Sequence, residues 1–269
     1  MIQDIAPHHF NNRYDSSISP DSSSLIFCFE GENLLLMKDF SLPTGNDVQP
    51  ANPEYLFSFD NISCFLSLER PDKLPVSGSF VPVKQLRNSP FPGENLFLVW
   101  TALQIFRWIR ENRYCGSCGN QLVPSSSERA RICPSCGRII YPRLNPAVIA
   151  AVTWKDRLLL TRYARRFIPY YALIAGFTEI GETLEETVQR EVMEETGLHV
   201  KNIRYYKSQP WAIASDILAG FFCEVDGSTD IVMDREELKE AFWVEKKDII
   251  LQPDDFSLTN EMMRIFKES

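Results

Sequence analysis

Residues 176–198 read GFTEIGETLEETVQREVMEETGL, and the spacing within this stretch sets the reading of the whole chain. After Gly181 neither Pro nor Gly interrupts it until Gly197. Thr183 with Glu186 three positions on fits a capping box at a helix start, and Gly197 fits a left-handed helix end. Leu184, Val188, Val192 and Met193 recur at helical spacing and supply an apolar stripe. On such a helix Glu191, Glu194 and Glu195 are related by three and four residues and share a face. Three carboxylates on one face repel one another, and a divalent cation would reverse that sign.

Hard cations such as Mg2+ take oxygen ligands and sit between a few carboxylates and substrate phosphates. Mn2+ accepts the same donors. Ions held there neutralise a diphosphate, polarise a phosphoryl oxygen and lower the pKa of a bound water. Placement and electrostatics carry most of the catalysis of phosphoryl transfer. The competing reading is a solvated acidic helix face. Arg190 suits a bidentate pair that orients Glu182 or a neighbouring carboxylate.

The 269 residues allow one large or two small domains with an extra module. An apolar fraction of 44% supports a sizeable core, and a net charge of −8 disfavours duplex nucleic acid as a bulk partner. No apolar run reaches about 18 residues, so no membrane span is expected. MIQDIAPHHF lacks the basic start and apolar core of a secretion signal, which predicts a cytoplasmic protein. Of seven cysteines, four stand at metal-ligand spacing, while Cys28, Cys64 and Cys223 lie in apolar surroundings as buried thiols.

Three segments follow: 1–112, 113–141 and 142–269. The first reads as an α+β domain without a chemical motif. LIFCFEGENLLLM is a hairpin turning at Gly31-Glu32-Asn33, YLFSFD and SCFLSLE are strands, and SPFPGE at 89–94 is a loop. LFLVWTALQIFRWIREN is a helix with a polar stripe of Thr101, Gln104, Arg107 and Glu111 opposite Trp100, Leu103, Phe106 and Ile109. In the second, Cys115-x2-Cys118 and Cys133-x2-Cys136 fit a closed tetrahedral Zn2+ site of structural type. A redox role for one pair is the competing reading. Arg129, Arg131, Arg138 and Arg143 offer nucleic-acid contacts, against a fold-stabilising spacer. In the third, PAVIAAVTW, DRLLLTRY, YALIAGF, NIRYYKSQPW and ILAGFFCEV read as strands. EELKEAFWV mixes a turn with a strand, and SLTNEMMRIFKE closes as a helix. The class is α/β (α+β), a mixed sheet between helices.

Gly176, Glu182 and the run Arg190 to Leu198 together carry the signature of the Nudix hydrolases, and the third segment resembles that family. The resemblance implies a metal-dependent enzyme cutting the diphosphate of a nucleoside diphosphate derivative. A four-cysteine ribbon before such a domain, YPRLNP, LIAGF and Ser208-Gln209-Pro210-Trp211 resemble the NADH pyrophosphatases over roughly 113–245. That implies cleavage of NADH or NAD+ to nicotinamide mononucleotide and AMP, removal of NAD caps from RNA, two or three Mg2+ or Mn2+ ions, one Zn2+ and a homodimer. It further implies Glu191, Glu194, Glu195, Glu237 and the Ala175 carbonyl as ligands, with Glu240 competing for the place of Glu237. Tyr141 and Phe177 would stack on a ring. One of Glu191, Glu194 or Glu237 would be the base, with Arg190 and Glu182 completing the catalytic set. Gln209, Pro210, Trp211 and Asp216 would shape the substrate pocket. Ala212-Ile213-Ala214-Ser215-Asp216 replaces the family's Pro-Phe-Pro-x-Ser and predicts a more flexible loop. This keeps two alternatives open: ADP-ribose or another nucleoside diphosphate derivative as substrate, and a zinc-ribbon nucleotide-sensing or nucleic-acid-binding protein. Arg162, Arg165 and Arg166 could pair with phosphates or form a solvated basic loop.

Overall fold

The computed structural model describes residues 1–164 and 169–269 and divides into two compact units, Asp4–Arg143 and Leu144–Ser269 with Met1–Gln3. Arg165 and Arg166 lie outside the described residues.

The first unit holds β1 (Phe10–Asn11), β2 (Leu25–Glu30), β3 (Asn33–Met37), β4 (Ala51–Phe59), β5 (Ile62–Glu69) and β6 (Gly78–Pro82) in one sheet ordered β1-β4-β5-β2-β3-β6. The β2–β3 hairpin closes on Gly31-Glu32 alone. Gly31 supplies φ +60° and Asn33 is already paired with Glu30, so the turn is one residue shorter than the sequence suggests. A short α1 (Val83–Leu86) leads to α2 (Gly93–Glu111), which starts directly after Pro92. Proline at a helix entry sacrifices no bonded N–H. The expected two-sided helix is instead buried almost all round, since Leu96, Leu98, Val99, Ala102, Ile105 and Trp108 are covered as well. Its polar stripe survives by pairing: Arg107 forks onto Glu32 at 2.6 and 2.8 Å, and Thr101 returns its hydroxyl to the Phe97 carbonyl.

The cysteine module, β7 (Val123–Pro124), β8 (Arg131–Ile132) and β9 (Ile139–Ile140), belongs to the same unit. Arg131 is 5% exposed and donates to Glu54 of β4 at 2.5 Å. Arg129 donates to the Leu56 carbonyl and to Asn12, while Tyr14 and Ser16 bond the Ser125 and Ser126 carbonyls. Breaking one partner of such a buried ion pair costs about 3–5 kcal/mol. These two arginines are therefore spent on the fold and are not presented to a nucleic acid.

The second unit is built on β10 (Asn145–Trp154), whose continuous apolar run is covered on both faces. Val148, Ala150 and Val152 face one core, and Ile149 and Ala151 face the other. That two-sided burial explains why the strand shows no polar alternation. β11 (Arg157–Tyr163) and β12 (Ile174–Phe177) both pair with β10, β11 at its end and β12 over Ala147–Ala150. Helix α3 (Leu184–Thr196) packs Val188 and Val192, both 0% exposed, on the first core. Burying each such side chain contributes roughly 1.5–3 kcal/mol. β13 (His199–Trp211), β14 (Asp216–Asp226) and β15 (Leu238–Glu245) complete the order β13-β14-β10-β11-β15, with β14 parallel to β10. Helix α4 (Leu258–Glu268) lays Met262, Met263 and Phe266 on the second core. A mixed sheet between two helices is thus observed. Among the described residues no helix is long and apolar enough to cross a membrane.

Candidate active site

Helix α3 begins and ends on side-chain and glycine caps. Thr183 accepts from Glu186 N–H at 3.2 Å while Glu186 accepts from Thr183 N–H at 2.8 Å, and Gly197 closes the helix at φ +68°. This fixes the rotation of the helix and hence where its glutamates point. Glu191 lies against Gly176 of β12. A Cβ built there would stand 1.9 Å from the Glu191 carboxyl carbon, so glycine is what admits the side chain. Ala175 stands opposite Ile149 in the β12–β10 ladder, one residue before that contact.

Arg190 organises the acidic face. Its Nε and Nη2 fork onto Glu182 at 2.6 and 2.9 Å, Nη1 reaches Glu191 at 2.7 Å and Glu194 at 3.0 Å, and Nη2 also holds the Phe177 carbonyl at 2.9 Å. Glu182 further accepts from the Thr187 hydroxyl and the Glu179 N–H. The Arg190 guanidinium, with the Glu179 amide, pulls its carboxyl down to about 2. A carboxylate so occupied holds geometry and does not collect protons.

The three glutamates of the helix are unequal. Glu195 is 6% exposed and its Oε2 is buried without a hydrogen-bond partner. Burial, then the charges of Glu191, Glu237, Asp234 and Glu194, push it up to about 8. Glu191 is half-buried and also raised, chiefly by desolvation. The Glu194 side chain is 59% exposed. Among the described residues the carboxylates are not gathered into a tight cluster of three, because Arg190 draws Glu191 and Glu194 aside. The carboxylates expected together on one helix face thus leave one orphaned, charge-crowded oxygen on Glu195. Such a group fits a cation: a buried carboxylate left alone is costly, and a hard ion supplies the missing partner.

The remaining sequence candidates divide. Glu237 is exposed and within electrostatic reach of Glu195, whereas Glu240 is turned to Arg162 at 3.3 Å and Tyr171 at 3.2 Å. Phe177 is 51% exposed beside the arginine clamp. Tyr141 belongs to the other unit, is 56% exposed and donates to Glu128 at 3.1 Å. Gln209, expected at the substrate, is 0% exposed, and its amide holds Gln3, the Phe256 carbonyl and the Leu258 N–H. Pro210 and Trp211 end β13 opposite Ile217 and Asp216. Asp216 is 5% exposed at the start of β14. The loop at 212–215 is tighter than its composition suggests. Ala214 and Ser215 bond back to Trp211 and Ala212, and Asn145 holds both the Ser215 and Ala214 carbonyls. Asp234 was missed by motif reasoning, although an aspartate opening DREE is a turn signal.

The four cysteine sulfurs of the ribbon lie within 4.8 Å of one another, with three pairs at 3.4–3.6 Å. Four thiolates around Zn2+ at about 2.3 Å stand at nearly this spacing. The Asn120 side chain and amide hold Cys118 down at about 6. Cys136 is pushed up to about 12 by the other three sulfurs despite the Arg138 amide. The set cannot carry four charges without a cation, which fits one structural zinc. Chelating it is expected to open Arg129 and Arg131 to trypsin in the full-length chain. Mass spectrometry would locate the cuts, and unchanged resistance at both would count against a zinc-held ribbon.

A family model described as NUDIX domain matches residues 143–264, the stretch that carries Gly176 and the α3 glutamates. Residues 143–264 are a NUDIX domain. A second model, described as NADH pyrophosphatase zinc ribbon domain, matches residues 110–141. Over 156 residues the chain is 42% identical to proteins of Shigella flexneri and of Escherichia coli (strain K12 / DH10B), each named NAD-capped RNA hydrolase NudC. The match covers 58% of this chain and 60% of each relative. A solved NUDIX hydrolase from Nitrosomonas europaea is 24% identical with a TM-score of 0.50, covering 58% of this chain and 91% of that one; it supports the fold alone.

Proposed function

We propose that this NUDIX chain hydrolyses the diphosphate of NADH or NAD+, giving nicotinamide mononucleotide and AMP, and cuts the same bond in an NAD cap at an RNA 5′ end. The observation that carries the reading is the orphaned, charge-crowded Glu195 carboxylate in a NUDIX domain preceded by an NADH pyrophosphatase zinc ribbon. Glu191, Glu195 and Glu237, with Glu194 and the Ala175 carbonyl beside them, would hold Mg2+ or Mn2+. Bound there, the metal supplies charge neutralisation and a more acidic water. The chain's residues do the rest. Arg190 sets the directions of Glu191 and Glu194, and Glu182 holds Arg190. Water adds to one phosphorus, its proton passes to one of Glu191, Glu194 or Glu237, and the bridging P–O bond breaks. Phe177 offers an exposed ring for a base or nicotinamide. A cytoplasmic homodimer completes the proposal.

The substituted turn Ala212–Asp216 favours a second reading, in which ADP-ribose is the better substrate. The test is AMP release by the full-length chain with Mg2+ or Mn2+ from NADH, NAD+ and ADP-ribose. The first reading expects kcat/KM for NADH at least about tenfold above that for ADP-ribose, a gap of about 1.4 kcal/mol in transition-state binding. The reverse order selects the second. No AMP from any of the three removes both and leaves a nucleotide-sensing protein.

A further inference from the structure

We infer that Asp234 is a positioning residue whose side-chain turn sets where Glu237 stands relative to Glu195; the inference rests on the metal-dependent reading of this site. The last carbonyls of a helix have no partner within it. At the end of α3 two of them are filled by the segment after β14, for Val232 N–H donates to the Thr196 carbonyl and Asp234 N–H to the Glu195 carbonyl, each at 2.9 Å. The segment is thereby tied to the backbone of the most buried glutamate of the site. Its next step is a turn in which Asp234 makes two of the bonds. Asp234 Oδ1 accepts from Glu236 N–H at 2.8 Å, and its carbonyl accepts from Leu238 N–H at 2.9 Å. Glu237 rides on that turn, and its own carbonyl is fixed by Ala164 N–H at 2.9 Å. An exposed carboxylate in a loop has many rotamers and backbone states. Here both flanks of Glu237 are pinned, one to the end of β11 and one through Asp234 to Glu195 itself. The turn needs a side-chain acceptor two residues before a free N–H, which Asp and Asn both provide, Ser provides more weakly and Ala does not.

That chemistry separates geometry from charge. Mn2+ alone would be titrated into the full-length chain, following the free ion by electron paramagnetic resonance, with kcat and KM for a dinucleotide measured afterwards. Asp234→Ala is expected to raise the Mn2+ dissociation constant about tenfold, as loss of a partner that orients a metal ligand does. Its kcat should recover at saturating Mn2+. Asp234→Asn keeps the turn without the charge and should stay within about threefold of the wild type, a surface charge being worth little. Asp234→Ser should fall between them and keeps the comparison open if the alanine variant does not fold. Wild-type Mn2+ affinity in Asp234→Ala overturns the inference. An asparagine variant as weak as the alanine one also overturns it, because charge would then be the cause. A wild-type chain that holds no Mn2+ overturns the metal reading and this inference with it.

Discussion

Glu195→Gln is expected to lose about a thousandfold in turnover at saturating Mg2+ and to gain stability at alkaline pH in protein without added divalent cation. The first effect follows from removing the proposed ligand, the one with an orphaned oxygen, since charge-stabilising groups at a reacting centre are each worth about 10²–10³ in rate. The second follows from linkage. Burial and neighbouring charges raise the folded pKa of Glu195 from 4.5 to about 8, so the folded state favours the protonated acid. The stability that protonation gives is complete below the unfolded pKa and is lost as pH rises toward 8. Above that, the cation-free wild type carries a penalty on the order of 4–5 kcal/mol. Gln removes the charge yet leaves a buried amide short of partners, at a cost of about 1–3 kcal/mol. The net gain at pH 9 is about 2 kcal/mol, or a melting shift of about 7 °C for a domain of this size. Near pH 4 only the amide's cost should remain, leaving the variant less stable than the wild type by about 1–3 kcal/mol. The transition to follow is the one that Mg2+ is expected to raise in the wild type, because a ligand bound only to the native state stabilises it. In the variant Mg2+ should no longer move it. A variant with unchanged turnover, or with its stability gain at low instead of high pH, would refute the role given to Glu195.

The helix that carries this residue was legible because its signals are local. Thr183, Glu186 and Gly197 act within four residues of themselves, and the structure shows both caps. β10 was legible because nine apolar or small residues in a row have few other uses in a chain of this composition. What the sequence could not supply depends on non-local packing. Glu191, Glu194 and Glu195 look equivalent in the motif, yet the sheet buries Glu195, half-buries Glu191 and leaves Glu194 in water. Gln209 and Asp216 read as pocket residues because the resemblance to the NADH pyrophosphatases runs through Ser208–Trp211 and the loop that follows. Alternation along β13 instead turns Gln209 inward, where α4 and the chain's first residues need its amide. The same limit applies to α2, whose polar stripe proved too narrow to mark a solvent face once its cations found partners within the unit. The ribbon's arginines belong to this group as well: only the folded contact between Arg131 of β8 and Glu54 of β4 shows that the two meet.

Gly176→Ala separates the fold from the chemistry more sharply than any change to a glutamate. The backbone at Gly176 has no positive φ, so alanine meets no conformational obstacle, and in a strand it lowers the entropy of the unfolded chain by an amount worth about 0.4–1 kcal/mol. The three atoms nearest the added Cβ all lie at the far end of a flexible side chain, the Glu191 carboxyl group at 1.9–2.2 Å. That group can swing away at little cost to stability. Its new position cannot be the old one, and the Arg190 bond at 2.7 Å must lengthen or break. Displacement of a reacting group by about 1 Å costs on the order of a hundredfold in rate. Gly176→Ala is therefore expected to melt within about 2 °C of the wild type, given the small terms involved. It should bind Mn2+ more weakly and turn over about a hundredfold more slowly. Thermal melts, Mn2+ titration and kcat measured on the same preparation decide the matter. Full activity would show that Glu191 does not act from the place beside Gly176. A collapsed melt would show that the carboxylate's position is rigid and that the glycine serves the fold.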